Sequence, residues 1–201
     1  MNAAGIVLAG GLARRMGGGD KSLRLLNGRP ILDHVIARLA PQVPMLAINA
    51  NGDPARFSAW GLPVIPDIMA DNPGPLAGVL TGMRWASAAG LRDIVTVPAD
   101  TPFIPTTLVM QLHEARIRDA AGIAIAVSDG RDHPVIALWS VTLAARLDHA
   151  LRIEGTRQVR AFLDRQRIAR AHFPSLPFDP FFNINCPGDI DVATRLAEQI
   201  G

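Results

Sequence analysis

The chain has 201 residues, which points to a single domain able to bury about 70% of its unfolded surface without disulfide staples. Hydrophobic residues make up 49% and charged residues 19%, which excludes a disordered chain. Twenty basic and eighteen acidic side chains leave a net charge of +2, aromatics are 5% and tyrosine is absent; without a basic stripe or stacking aromatics, nucleic acid is excluded as a partner.

In chain order, Ala4–Ala9 is a short Ile/Val-rich run that reads as a buried strand, ending at Gly10-Gly11. A glycine-rich loop, Gly10 to Lys21, leads to an extended piece at Leu23–Leu26 and a turn at Asn27-Gly28. Ile31, Val35, Ile36 and Leu39 fall at helical spacing within Pro30–Ala40, with Pro30 suited to a first turn. Pro44–Ile48 and Pro63–Ile65 read as a second and a third strand. Pro75–Ala89 is a helix with Leu76, Val79, Leu80 and Met83 on one face. Asp93–Val97 is a fourth strand, and Pro105–Arg118 a helix. Gly122–Val127 and Val135–Leu138 are strands around the turn Ser128-Asp129-Gly130. Helices near Val141–Leu151 and Arg157–Arg165 follow, then a strand at Ala169–Phe173, a proline-rich loop and a last helix from Pro187. Early strands alternating with helices imply an α/β fold with βαβ units, a mostly parallel sheet with helices on both faces, and a mixed C-terminal half. No linker divides the chain. Residues 1–121 read as a nucleotide-binding half and 122–201 as a substrate-binding half of one domain, 1–201.

The longest charge-free stretch, Leu39–Gly52, contains Pro41 and Pro44 and is too short to span a bilayer. The apolar stretch Ala3–Ala13 is followed, not preceded, by Arg14 and Arg15, the wrong order for a secretion signal. Cys186 is the single cysteine and has no partner for an intrachain disulfide, which favours a reducing, cytoplasmic location.

Ligands of open parallel sheets bind beyond the carboxyl ends of the strands. Four unusual loops follow the four early strands: Gly10–Lys21, Asn49–Asp53, Asp67–Gly78 and Pro98–Pro105. The first is rich in glycine and carries Arg14, Arg15 and Lys21. Its backbone N–H groups can approach phosphate oxygens closely. It is neither a Walker A loop nor a dinucleotide fingerprint. Of the twenty basic residues Lys21 is the one lysine, and its compact ammonium suits a crowded phosphate cradle better than a guanidinium fork. In the fourth loop Asp100 stands just past a buried strand between Pro98 and Pro102, a natural ligand for a hard cation. The alternative, a helix cap, requires a helix closer than Pro105. Asp67 could accept hydrogen bonds from a nucleobase or ribose, or serve as a turn residue, as could Asn49 and Asn51. His133, after the hairpin turn, reads more readily as structural than as catalytic. Asn183 and Asn185 alternate on an extended segment and so share one face, either toward a ligand or as satisfied loop amides. The absence of HExxH, CxxC and GxSxG leaves zinc and serine hydrolases unsupported.

Taken together, Leu8-Ala9-Gly10-Gly11, Arg15-Met16-Gly17 and Asp20-Lys21 resemble the signature of GT-A-type nucleotidyltransferases. With Pro73-Gly74-Pro75-Leu76-Ala77-Gly78, Asp100-Thr101-Pro102-Phe103, His133-Pro134 and Asn183-Ile184-Asn185, the pattern resembles the molybdenum cofactor guanylyltransferases (the MobA family) across nearly the whole chain. Cys186 and Gly188 depart from it, standing where the family has threonine and glutamate. The resemblance implies a Rossmann-like GT-A domain and transfer of GMP from GTP to molybdenum-bound molybdopterin, giving the guanine dinucleotide cofactor and pyrophosphate, with Mg²⁺ as cofactor. Carried over residue by residue, Leu8, Ala9, Gly10, Lys21, Asn49, Asp67 and Asp100 would contact the nucleotide. Lys21 and Asp100 would be catalytic, Asp100 would hold the metal, and Arg15, Asn183 and Asn185 would face the pterin. Other cofactor-biosynthesis proteins and acceptor molybdoenzymes would be its protein partners. Two alternatives stay open: a sister enzyme using CTP or a sugar phosphate, and a non-catalytic cofactor carrier.

Overall fold

A computed structural model describes residues 2–10, 20–69 and 74–198. The first apolar run forms β1 (Ala3–Leu8). A small hairpin, β2 (Leu25–Leu26) and β3 (Arg29–Pro30), closes through Asn27 and Gly28. Both turn residues have positive φ, 50° and 76°, which is why asparagine and glycine occupy them. Then come α1 (Ile31–Leu39), β4 (Met45–Asn49), β5 (Val64–Ile65), α2 (Pro75–Ala88), β6 (Asp93–Pro98) and α3 (Leu108–Arg118). The second half contains β7 (Ile123–Ser128), β8 (Arg131–Ser140), α4 (Ala144–Arg152), the short α5 (Val159–Leu163), β9 (Ile168–Phe173) and α6 (Pro187–Ala197). The expected helix over Pro105–Arg118 begins at Leu108 with Thr107 as N-cap, and the helix expected over Arg157–Arg165 shortens to α5.

Seven strands form one sheet in the order β5-β4-β1-β6-β8-β7-β9. Pairing is parallel except at β8, which is antiparallel to both β6 and β7. The expected mostly parallel sheet with a mixed C-terminal half is therefore what forms. β1 alternates between two cores. Ala3 and Val7 join Leu32, Val35, Leu108 and Leu112 beneath α1 and α3. Ala4 and Ile6 join Leu80, Met83, Leu147, Leu151 and Phe162 beneath α2, α4 and α5. Both faces are covered, and the strands accordingly read as continuous apolar runs.

β8 is longer than the expected Val135–Leu138 because it is interrupted. Ile125 pairs with Ala137 while Ala126 pairs with His133, so Pro134, Val135 and Ile136 loop out of the ladder. Pro134 cannot donate to the ladder. The buried Thr96 holds the bulge, donating from Oγ1 to the Val135 carbonyl at 2.6 Å and accepting from Trp139 Nε1 at 2.9 Å. A third small core of Leu26, Ile31, Phe103, Ile184 and Ala193 seats α6 against the β2–β3 hairpin. That contact brings the C-terminal segment to the carboxyl edge of the sheet. Among the described residues no helix is long and apolar enough to cross a membrane.

Candidate active site

β1, β4, β5 and β6 run parallel, so the loops after them open on one edge. β7 and β9 end on that edge too. Lys21 starts a short 3-10 turn, Lys21–Leu23. Its ammonium donates to Asp100 Oδ2 at 2.5 Å, to Asn185 Oδ1 at 2.8 Å and to Asn183 Oδ1 at 3.4 Å. Three donors thus meet three acceptors, a fan-shaped arrangement that a planar guanidinium would not reproduce. The Ile184 N–H donates to the Asp100 carbonyl, which pins the Asn183–Asn185 segment beside the loop after β6. The family resemblance implies that Asn183 and Asn185 face the pterin. The structure joins all four residues in one cluster.

Asp100 stands well ahead of the N-cap Thr107 and caps no helix. Its Oδ1 is buried without any hydrogen-bond partner. A buried bare carboxylate oxygen is costly unless something binds it, and a hard cation is the natural occupant. Among the described residues no cluster of three or more His, Cys, Asp or Glu exists. One bare carboxylate oxygen, Asp100 Oδ1, fits Mg²⁺, which commonly takes one or two carboxylates and completes its shell with phosphates and water.

Asp67 lies beyond β5, held on both oxygens. Asn49 Nδ2 donates to Oδ1 and Asn51 Nδ2 to Oδ2, each at 2.9 Å, while the Asp67 N–H donates to Asn51 Oδ1 at 2.8 Å. Asn49 also donates to the Ile65 carbonyl. Asn49 and Asn51 are thus the struts that fix Asp67, more than turn residues. Helix α2 packs directly on this network: a Cβ at Gly78 would lie 2.2 Å from Asn49 Oδ1. The Leu8 carbonyl accepts from Ala99 N–H, and the Ala9 N–H donates to the Asn49 carbonyl, so the backbone at Leu8 ties β1 to its neighbours. Among the described residues, a Cβ on Gly10 would meet nothing within 4 Å. Arg14, Arg15 and the phosphate-loop glycines 11–19 lie outside the described residues, as do Asp71, Asn72 and Pro73.

Arg56 went unnoticed in the sequence. Its Nε donates to Asp20 at 2.6 Å and its terminal nitrogens to the Asn51 and Asp53 carbonyls. It clamps the residue before Lys21 to the loop after β4. One arginine among nineteen carries no local signal, so only the tertiary contact reveals it. Asp189 was missed as well. It accepts from the Asn185 and Cys186 N–H groups at 2.6 and 2.8 Å, and these bonds hold its carboxyl below the ordinary value of 3.8. It anchors the start of α6, so the departures at Cys186 and Gly188 leave that capping contact intact.

Beside the cluster lies a cleft of about 410 Å³, lined by Pro98 and Thr101 from the first half and by Arg131–Ile136, Asp179 and Phe181–Asn183 with Asn185 from the second. His133 stands in its wall. Its Nε2 is 2.7 Å from Ser128 Oγ, which donates to Asp179 Oδ1 at 2.7 Å. Burial pushes the imidazole below its usual value, with Asp179 opposing.

The described residues thus bring Lys21, Asp100, Asn183 and Asn185 together at this edge, and the chain is similar to several known proteins. Residues 5–171 match the MobA-like NTP transferase domain. The chain belongs to this family. A Rhodopseudomonas palustris protein named molybdenum cofactor guanylyltransferase is 53% identical over 96% of this chain and 92% of its own. A Bradyrhizobium protein of the same name is 49% identical with the same coverage. Among solved structures, the molybdopterin-guanine dinucleotide biosynthesis protein A of Archaeoglobus fulgidus superposes with a TM-score of 0.74 at 22% identity, covering 98% of this chain and 99% of the other. CMP:2-keto-3-deoxy-manno-octonic acid synthetase with CTP gives a TM-score of 0.77 at 14% identity, covering both chains in full. At such identities the two structures speak for the nucleotidyltransferase fold alone.

Proposed function

We propose that the chain transfers GMP from GTP to molybdenum-bound molybdopterin, releasing pyrophosphate and forming molybdopterin guanine dinucleotide. The observation that carries this reading is the Lys21–Asp100–Asn183–Asn185 cluster with its bare, buried Asp100 Oδ1, in a chain about half identical to named guanylyltransferases. Residues 1–121 hold the nucleotide, and residues 122–201 form most of the cleft for the pterin.

The terminal phosphate of molybdopterin has a second pKa of about 6, as phosphate monoesters do. It is ionised at neutral pH and can attack the α-phosphorus of GTP directly. The new P–O bond forms as the bond to the β-phosphate bridging oxygen breaks, and pyrophosphate carries away the charge. No general base is required, in keeping with a cluster of one lysine, one aspartate and two asparagines. The barrier lies in bringing two polyanions together. Mg²⁺ held by Asp100 would neutralise phosphate oxygens. Lys21 places a fixed positive charge beside the same oxygens, and Asn183 and Asn185 hold its ammonium there. Asn49 and Asn51 fix Asp67 as an acceptor for the nucleoside. Among the described residues nothing lies within 4 Å of a Cβ at Gly10, in keeping with a purine beside Ala9.

The deciding experiment is pyrophosphate release by the purified protein with molybdopterin, Mg²⁺ and each of GTP, ATP, CTP and UTP. GTP should exceed the others by roughly 10² or more in kcat/KM, since a wrong base leaves buried polar groups unpaired. Equal use of CTP and GTP would overturn the guanine assignment. Cofactor binding without pyrophosphate release would show a carrier.

A further inference from the structure

In the Ser128–His133–Asp179 chain, one proton sets all the others. Ser128 has a single hydroxyl hydrogen, and an ionised carboxylate can only accept. The 2.7 Å contact with Asp179 Oδ1 therefore uses that hydrogen. Ser128 Oγ is left to accept, so the hydrogen between it and His133 belongs to Nε2. A neutral ring with hydrogen on Nε2 has a bare lone pair on Nδ1, and burial favours the neutral ring. Asp179 Oδ1 also accepts from the Phe181 N–H at 2.9 Å, which commits that oxygen twice and leaves Oδ2 without a bond among the described residues. Neither His133 Nδ1 nor Asp179 Oδ2 is a buried unpartnered atom; Asp100 Oδ1 alone has that status among them. Both residues line the cleft of about 410 Å³. Its walls are mixed: the Phe181 ring lies 4.7 Å from that of His133, with Phe182, Pro134 and Val135 nearby, and Arg131, Asp132, Thr101, Asn183 and Asn185 also line it.

We propose that Asp179 Oδ2 and His133 Nδ1 are the acceptor pair that reads the amide N–H and exocyclic amine of a 2-amino-4-oxo heterocycle. This rests on the reading of the cleft as the pterin site and names the groups that select the ring. Two acceptors beside the Phe181 and Phe182 rings match the two adjacent donors of a pterin edge. They reject a 2,4-dioxo ring, which presents a carbonyl in place of the amine. Ser128 is a positioning residue. It touches no substrate, and it fixes the imidazole tautomer and one carboxylate oxygen.

Asp179→Asn tests this with little disturbance. The amide oxygen keeps both bonds made by Oδ1, and Nδ2 replaces the free acceptor with a donor. Steady-state kinetics should show the KM for molybdopterin rising about 10- to 100-fold, with the KM for GTP within twofold of wild type and an unchanged melting temperature. Ser128→Ala should raise the same KM with kcat retained. As competitive inhibitors, pterin-6-carboxylate should outcompete its 2,4-dioxo analogue on wild type, and Asp179→Asn should narrow or reverse that preference. An unchanged molybdopterin KM, an equal rise in both KM values, or an unaltered analogue preference in Asp179→Asn would overturn the proposal. Wild type that releases no pyrophosphate with GTP and molybdopterin would instead refute the guanylyltransferase reading itself.

Discussion

Two glycines on α2, one turn apart, separate site geometry from stability. An alanine Cβ at Gly78 would lie 2.2 Å from Asn49 Oδ1 and 2.8 Å from Leu8 Cδ2. Asn49 is only 4% exposed and cannot swing into solvent, so it must move by about 1 Å to reach ordinary contact. Overpacking of this kind costs about 1–3 kcal/mol. The move also strains the Asn49 bonds to Asp67 and the Ile65 carbonyl, at about 0.5–1.5 kcal/mol each. Replacing a helical glycine returns about 0.5–1 kcal/mol. Gly78→Ala should therefore be about 1–5.5 kcal/mol less stable. At Gly82 the new Cβ would meet Ile6 Cγ1 at 2.7 Å and otherwise apolar carbons, for a net loss of about 0–2.5 kcal/mol by the same terms and no polar consequence. Urea melts give the stabilities. The pyrophosphate-release assay gives the KM for GTP, which should rise about tenfold in Gly78→Ala, the equivalent of 1.4 kcal/mol, and stay at the wild-type value in Gly82→Ala. If Gly82→Ala raised it equally, or Gly78→Ala left it unchanged, the role of the Asn49–Asp67 network in holding nucleotide would be refuted.

Lys21→Ala should lower turnover by roughly 10²-fold or more in a folded protein, and Lys21→Arg should restore only part, because the fork cannot meet Asp100, Asn183 and Asn185 together; wild-type turnover in the arginine variant would sink the argument. Asp100→Asn should remove activity at ordinary Mg²⁺ concentrations and weaken metal-dependent nucleotide binding in calorimetry, whereas a purely structural aspartate would lower the melting temperature and leave the Mg²⁺ dependence intact. Gly10→Ala should erode the preference for GTP over CTP with little change in melting temperature, since a Cβ there meets nothing within 4 Å among the described residues and φ is not positive. Asp189 has a depressed folded pKa, so its contribution is present above the unfolded value and is lost as pH falls through the folded one. The stability gap between wild type and Asp189→Asn should thus be full near pH 6 and close below about pH 4, as read by acid titration of urea midpoints; a gap independent of pH would refute the charge-based cap.

Much of the fold could be read from local signals. Runs such as Ala3–Leu8 and Asp93–Pro98 are short, apolar and bounded by turn residues, and alternation with helices implied a parallel sheet before any contact was known. The positive φ values at Asn27 and Gly28 follow from residue types that tolerate them. Lys21 and Asp100 stood out because each is unusual in its own loop. The rest depended on long-range packing. Nothing local to Asn183 or Asn185 says that 162 and 164 residues separate them from the ammonium they hold. Arg56 looked like any other arginine until Asp20 came within 2.6 Å. The hairpin after β7 was legible, but the displacement of Pro134–Ile136 depends on Thr96 in another strand. Ser128 was visible only as a turn residue until its hydroxyl met Asp179, 51 residues away. Periodicity and turn chemistry act within a few residues, so the sequence by itself determined the elements and their order. Which side chains share a proton, a buried oxygen or a cleft wall is set where distant segments close against one another, and only the tertiary structure decided that.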